Sequence, residues 1–168
     1  KAENSELIYA SISGMGEVGP YADQRVYDYV IQGLSGAADA QSTSESTALF
    51  RSIIYDKVTA LTAAQGITAA LFARANGAGG QHLKLTMLDV GVYFNWPDLM
   101  WNHTFVGEGV QRSGDLADMY EVNATNDGAV VTHQLGGDTS GYSTDELIEL
   151  FVQNEIPVAR ANRRDQIA

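Results

Sequence analysis

The sequence of 168 residues contains no cysteine, only three prolines and few basic residues. Without cysteine it can form neither disulfide bonds nor thiolate metal sites, which is usual for a cytoplasmic protein. Ten Lys and Arg are opposed by 21 Asp and Glu, and the net charge of −11 disfavours binding to nucleic acid or to an anionic membrane. No run of 18 apolar residues is present and the first residues do not resemble a signal peptide, so no membrane segment is expected.

Common catalytic and cofactor motifs are also missing. The chain has no Gly-x-Ser-x-Gly sequence, no Walker loop and no dinucleotide fingerprint. His82, His103 and His133 are far apart in the sequence, so no metal site is expected. The Gly-rich stretch 76–81 precedes a predicted strand rather than a helix, which favours a helix end and a turn over a phosphate cradle.

One carboxylate lies between two apolar segments. Residues 53–55 are typical of the end of a buried strand, and the Ala-rich segment that follows predicts a helix over 57–74. Asp56 lies where the strand passes into the helix, and Asp is a preferred helix N-cap. The same place also suits catalysis, because open α/β sheets carry their chemistry at the C-terminal ends of strands. A carboxylate kept ionised by a helix N-terminus can act as a nucleophile, so the two interpretations are compatible.

The rest of the chain alternates between strand-like and helix-like segments. Strands are predicted at 7–13, 82–87 and 156–159, with a hairpin formed by 119–124 and 129–133; helices are predicted at 25–34, 88–106 (interrupted by Pro97) and 144–154 (capped by Ser143 or Thr144). The small polar residues of 39–48 predict an exposed connection. This order predicts an α/β fold, with strands alternating with buried helices and a small α+β portion at the C-terminal end.

Four segments resemble, in order and spacing, the family III CoA-transferases, also called the CaiB/BaiF family. They are 7–16 with 19–22, 27–36, Asp56 with 59–60 and 66–71, and 80–82 leading to 87–89. The resemblance covers 7–134 well and the rest loosely. It implies a partial CoA-transferase fold, in which 1–106 is the central part of the large domain and 107–168 is a linker with a reduced small domain.

In that family the nucleophile is an Asp, and Asp56 falls at the matching position. The resemblance therefore implies an acyl-CoA:carboxylate CoA-transferase that works through an aspartyl-CoA thioester, with the CoA thioester as a substrate and no prosthetic group. Arg25, Val26, Tyr27 and Asp28 match a family segment that contacts CoA. Arg25 suits a phosphate and Tyr27 the thioester region. The partners implied are an acyl-CoA and a carboxylic acid.

Two alternatives remain open. Related α-methylacyl-CoA racemases use a His base where this chain has Tyr27. A catalytically inactive assembly or scaffold domain of the same family is the other alternative. The family's N-terminal nucleotide-fold portion has no counterpart before Lys1, and the chain is short between His133 and Asp145. The sequence is therefore expected to be a fragment, a split subunit or a truncated member, acting as a homodimer or as a complementing subunit.

Overall fold

The computed structural model describes residues 3–43, 46–134 and 136–167. The chain divides into two compact units, of which the first ends at Val106 and the second begins at Gly107. Both units contain helices and strands, so the predicted α/β fold class is confirmed. Within the described ranges no helix combines the length and the apolar character needed to cross a membrane.

The described residues of the first unit form two strands and four α-helices. They are β1 (Tyr9–Ser13), α1 (Asp28–Leu34), α2 (Ala37–Ala40), α3 (Ile54–Ala73), β2 (His82–Thr86) and α4 (Met87–Leu99), and a π-helical turn, Arg74–Ala78, follows α3. β1 and β2 pair in parallel, from Tyr9 opposite His82 to Ser13 opposite Thr86. A parallel pair needs a long crossover, and the helices between the strands supply it.

The core of the first unit lies where α1, α3 and α4 meet. Ile31 and Tyr55 are fully buried there, and partly buried apolar side chains surround them. Gly91 on α4 permits this close packing. A Cβ atom at that position would lie 3.0 Å from Cγ2 of Ile31 and 3.1 Å from Cδ1 of Tyr55.

Two predictions about this unit are wrong. Residues 53–55 do not end a strand, because α3 already begins at Ile54. The aromatic-rich helix ends at Leu99, two residues after Pro97, and not at 106. The predicted polar connection 39–48 is mostly exposed, although its first two residues form the end of the short helix α2, and its residues 44 and 45 lie outside the described residues. In the first case tertiary contacts override the strand propensity of Ile and Tyr, as the site below shows.

The described residues of the second unit form a three-stranded antiparallel sheet with one α-helix. It comprises β3 (Tyr120–Ala124), β4 (Ala129–His133), α5 (Thr144–Gln153) and β5 (Val158–Arg160), with short 3₁₀ turns at Leu116–Met119 and Arg164–Gln166. The strand order is β3-β4-β5. Val130, Leu147 and Phe151 form its buried core, which joins α5 to the sheet. The predicted hairpin and the predicted Ser143-capped helix are confirmed.

Candidate active site

Asp56 is the third residue of α3, and its side chain is exposed. The residue that precedes the helix is Ile53, which offers no capping side chain. The prediction that Asp56 is the N-cap is therefore wrong, because Asp56 lies inside the first turn. Among the described residues, no group donates a hydrogen bond to its carboxylate. The carboxylate is thus open to solvent at the N-terminal end of a 20-residue helix.

The cap of α3 comes from another helix. Asp28, the first residue of α1, is only 5% exposed. Its Oδ1 accepts a hydrogen bond from the backbone N–H of Tyr55 at 2.6 Å and one from that of Asp56 at 3.3 Å. Two of the amides that a helix N-terminus leaves unpaired are satisfied in this way. The start of α3 is therefore determined by α1, 27 residues earlier in the sequence.

Gln32 holds the Asp28 carboxylate from the other side. It lies one turn further along α1, is 2% exposed, and donates through Nε2 to Oδ2 of Asp28 at 2.5 Å. The same nitrogen lies 3.1 Å from the carbonyl oxygen of Ser52 and 3.3 Å from that of Phe50. Gln32 thereby ties α1 to the segment that leads into α3.

The first turn of α3 is also held from α4. The side chain of Tyr55 is fully buried, and its hydroxyl accepts a hydrogen bond from Nδ2 of the buried Asn95. Tyr55 thus has its amide bound by Asp28 and its hydroxyl bound by Asn95. Asp56, the next residue, points outward from a turn that is fixed by two neighbouring helices.

The segment 25–28 lies beside this site but contributes unequally. Arg25 is exposed and forms no ion pair within the described part of the chain. Val26 packs against the core, and a Cβ atom at Gly14 would lie 2.5 Å from its Cγ2. Tyr27 is 63% exposed, and its ring is nearly parallel to that of Tyr29 at a centroid distance of 6.1 Å. Of these residues, only Asp28 is hydrogen-bonded to Asp56.

Sequence reasoning missed three residues that build this site. The sequence places Gln32 and Asn95 only within predicted helices, and Tyr55 within a predicted strand. The sequence did contain a signal for Gln32. It lies four residues after Asp28 on a predicted helix, and Gln and Asp side chains at this spacing can form a hydrogen bond. Nothing in the local sequence indicates that Asn95 reaches the Tyr55 hydroxyl. Within 3–43, 46–134 and 136–167, no cluster of three or more His, Asp or Glu is placed to hold a metal ion.

A sequence model of "CoA-transferase family III" matches residues 1–139. The chain belongs to this family. Membership predicted from the four sequence segments is thereby confirmed. The match includes the whole of the site around Asp28 and Asp56, so the capping arrangement lies in a family III CoA-transferase framework.

Two similar proteins of known name are CoA-transferases. The succinate–glutarate CoA-transferase of Agrobacterium fabrum is 36% identical over 88 residues, which are 52% of this chain and 22% of that protein. The acetyl-CoA:oxalate CoA-transferase of Acetobacter aceti is 33% identical over 115 residues, which are 67% of this chain and 29% of that protein. The matched segments therefore cover less than a third of the length of each of these relatives.

Solved structures show the same fold. A CaiB/BaiF family protein from Brucella suis matches 99% of this chain and 55% of its own, with a TM-score of 0.79 at 20% identity. A hypothetical protein from Mycobacterium tuberculosis matches 99% of this chain and 57% of its own, with a TM-score of 0.77 at 18% identity. The family III fold thus extends over nearly the whole chain, which spans about half the length of these solved proteins.

Proposed function

We propose that the chain is an acyl-CoA:carboxylate CoA-transferase, or part of one, with Asp56 as its nucleophile. The observation that carries the proposal is the exposed Asp56 carboxylate, which receives no hydrogen bond from the described residues although it lies on a turn fixed by α1 and α4. A nucleophile needs both a free lone pair and a fixed position. The names of the relatives support CoA transfer as the reaction.

The reaction proceeds in four balanced steps. The Asp56 carboxylate attacks the thioester carbon of the donor, which gives a mixed anhydride and releases CoA as its thiolate. The thiolate attacks the Asp56 carbonyl carbon, which gives the aspartyl-CoA thioester and releases the donor acid as a carboxylate. The acceptor carboxylate attacks the same carbonyl carbon and expels the thiolate, which leaves a second anhydride. The thiolate finally attacks the acyl carbon of the acceptor, which yields the new acyl-CoA and restores Asp56.

The segment 25–28 serves CoA binding in this proposal. The exposed Arg25 guanidinium suits a CoA phosphate, because guanidinium groups form paired, charge-assisted hydrogen bonds with phosphate oxygens. The exposed Tyr27 ring lies next to Asp28 in the chain and suits the thioester end. Val26 is packed against the core and the Asp28 carboxylate already accepts hydrogen bonds from three donors, so in this proposal these two residues hold the segment in place for Arg25 and Tyr27.

The substrates in this proposal are an acyl-CoA and a carboxylic acid. The absence of a prosthetic group, a cytoplasmic location and assembly as a homodimer or with a complementing subunit stay predictions. So does the assignment of the two units to a large and a small domain. Support for an assembly comes from large aromatic side chains on the first unit, since Tyr93, Trp96 and Phe105 are all exposed.

Trapping with hydroxylamine tests the nucleophile. The chain is incubated with an acyl-CoA, and hydroxylamine then converts an aspartyl thioester into a hydroxamate that peptide mass spectrometry locates. We expect modification at Asp56 in the native chain and none in Asp56→Asn. Asp89 provides a matched control, because it is also exposed and is also the third residue of a helix, α4. Asp89→Asn should leave the modification of Asp56 unchanged.

The trapping experiment has two further outcomes. Absence of any adduct, with the chain alone and after addition of the N-terminal portion of a relative, would contradict catalysis by Asp56 and favour the scaffold alternative. Uptake of deuterium at the α-carbon of a 2-methylacyl-CoA, without hydroxamate formation, would favour the racemase alternative.

A further inference from the structure

We infer that Asp28 is a positioning residue for Asp56, and that it keeps the Asp56 carboxylate free by occupying the helix amides that would otherwise bind it. The inference rests on the proposed function for its catalytic meaning, but its geometry stands on the hydrogen bonds alone. It assigns Asp28 a task other than contact with CoA. The buried Asp28 carboxylate binds the amides, and the neighbouring Asp56 carboxylate therefore remains reactive.

The competition for amides follows from helix geometry. The first turn of a helix presents unpaired N–H groups, and a carboxylate within that turn can fold back to accept from them. A carboxylate oxygen that accepts such bonds has fewer free lone pairs and a lower nucleophilicity. In α3 the amides of Tyr55 and Asp56 already donate to Asp28. Neither of these two amides is therefore free to bind the Asp56 carboxylate, which extends into solvent.

Because Asp28 is buried, its hydrogen bonds with the amides of Tyr55 and Asp56 persist. Asp28 is 5% exposed, and two of its three hydrogen-bond donors, the Gln32 side chain and the Tyr55 amide, belong to buried residues. Gln32 fixes Oδ2, which leaves Oδ1 aimed at α3. Because water cannot compete at a buried site, the α3 amides stay with Asp28.

Coupling of carboxylates with a water-soluble carbodiimide and an amine measures this effect without any CoA ester. The carboxylate oxygen attacks the carbodiimide carbon, the amine then displaces that oxygen as part of a urea, and an amide remains on the protein. The rate at Asp56 is divided by the rate at Asp89 in the same sample. Asp89 lies at the third position of α4, whose cap is its own neighbour Thr86, so it serves as the internal reference.

The variants separate positioning from general destabilisation. Asp28→Ala should lower the Asp56-to-Asp89 ratio about tenfold, because the freed amides turn to Asp56. Asp28→Asn keeps an oxygen that accepts from both amides, so its ratio should stay within about threefold of the native value. Ala70→Gly loosens α3 at a buried site far from its first turn and should leave the ratio unchanged. If Asp28→Ala does not fold, Asp28→Ser, whose hydroxyl is too short to reach both amides, takes its place with the same expected fall.

Two results would overturn the inference. One is an unchanged ratio in Asp28→Ala or Asp28→Ser, and the other is an equal fall in Ala70→Gly. Amide hydrogen exchange adds a direct measurement, because Asp28→Ala should remove the protection of the Tyr55 amide while Asp28→Asn retains it. Failure of the proposed function is recognised separately, since the native chain would then form no hydroxamate with an acyl-CoA while the carbodiimide ratio would still report on Asp28.

Discussion

The helices α3 and α5 begin in different ways, although each receives a carboxylate from elsewhere in the chain. α3 depends on Asp28, 27 residues before Tyr55, and has no capping side chain at its own N-cap position. α5 receives Asp127, 17 residues before Thr144, and also has a capping box of its own. The start of α3 thus depends on one distant cap, Asp28. The start of α5 has a distant cap, Asp127, and a local one, Ser143.

The start of α5 is held twice. Oδ1 of Asp127 accepts from the backbone N–H of Thr144 at 2.7 Å and from its hydroxyl at 2.6 Å. Independently, Ser143 Oγ accepts from the N–H of Glu146, and Oε2 of Glu146 accepts from the N–H of Ser143. Local bonds of the second kind are visible in the sequence as Ser-x-x-Glu. The difference teaches that a helix start can be predicted when its cap is local and not when its cap comes from another helix.

The largest expected effect comes from removal of the single cap of α3. Asp28→Ala leaves the amide of Tyr55 without an acceptor at a buried site, and it should lower the free energy of unfolding by about 3 kcal/mol in urea denaturation. Asp39→Ala, which removes an exposed carboxylate from α2, should change it by less than about 0.5 kcal/mol. Equal losses in the two variants would mean that Asp28 is not the cap on which α3 depends.

Removal of one of the two caps of α5 should cost less. Ser143→Ala should lower the stability of the second unit by about 1 kcal/mol, the usual value for a lost N-cap. The double variant with Asp127→Ala should lose more than the sum of the two single variants, because each cap compensates for the loss of the other. Thermal unfolding of the isolated variants measures this, and simple additivity would contradict the redundancy that we describe.

Acid should weaken the start of α5. Hydrogen bonds from the Thr144 side chain and backbone lower the pKa of Asp127 below 3.8, and hydrogen bonds from the backbone and side chain of Ser143 lower the pKa of Glu146 below 4.5. Because both folded-state pKa values are depressed, the stability that these groups contribute is present above 4.5 and is lost as the pH falls through the lowered values. The effect is small, since both side chains are exposed. Comparison of the melting temperature at pH 6 and near pH 3 should show a smaller decrease in Asp127→Asn than in the native chain.

The smallest effect is expected at the candidate nucleophile itself. Since Asp28 and not Asp56 caps α3, Asp56→Ala should change the free energy of unfolding by less than about 0.5 kcal/mol. Its hydroxamate formation should nevertheless be abolished. A loss of stability near 1 kcal/mol, as expected for an N-cap, would restore the structural interpretation of Asp56.

The sequence was sufficient for elements whose signals are local. Alternating apolar residues predict β1 and β2, Asn126-Asp127-Gly128 predicts the turn between β3 and β4, and Ser143 predicts the start of α5. For the candidate site, the sequence pointed to Asp56, and the family resemblance pointed to the segment 25–28, of which Asp28 is hydrogen-bonded to the Asp56 amide.

The failures occurred where distant contacts outweigh local propensity. Ile53, Ile54 and Tyr55 favour a strand by composition, but the bond from the Tyr55 amide to Asp28 and the burial of the Tyr55 ring make the last two helical. The bond between Tyr55 and Asn95 joins residues 40 apart, which no local pattern can reveal. Asp28 itself was noticed for its place in a motif, whereas its task as a cap depends on where α3 lies in three dimensions.

The parallel pairing of β1 with β2 has a consequence for how the first unit folds. Ser11 and His82 are hydrogen-bonded across the two strands although 71 residues separate them in the sequence. Closing so long a loop lowers the chain entropy before any strand contact has formed to offset that cost. Contacts between residues so far apart in the sequence therefore slow folding. The bond between Asp28 and Tyr55 closes a much shorter loop, so α1 and α3 should dock first and bring the strands together. Pulse-labelled hydrogen exchange would show this order as protection of the Tyr55 amide before that of the β1 amides.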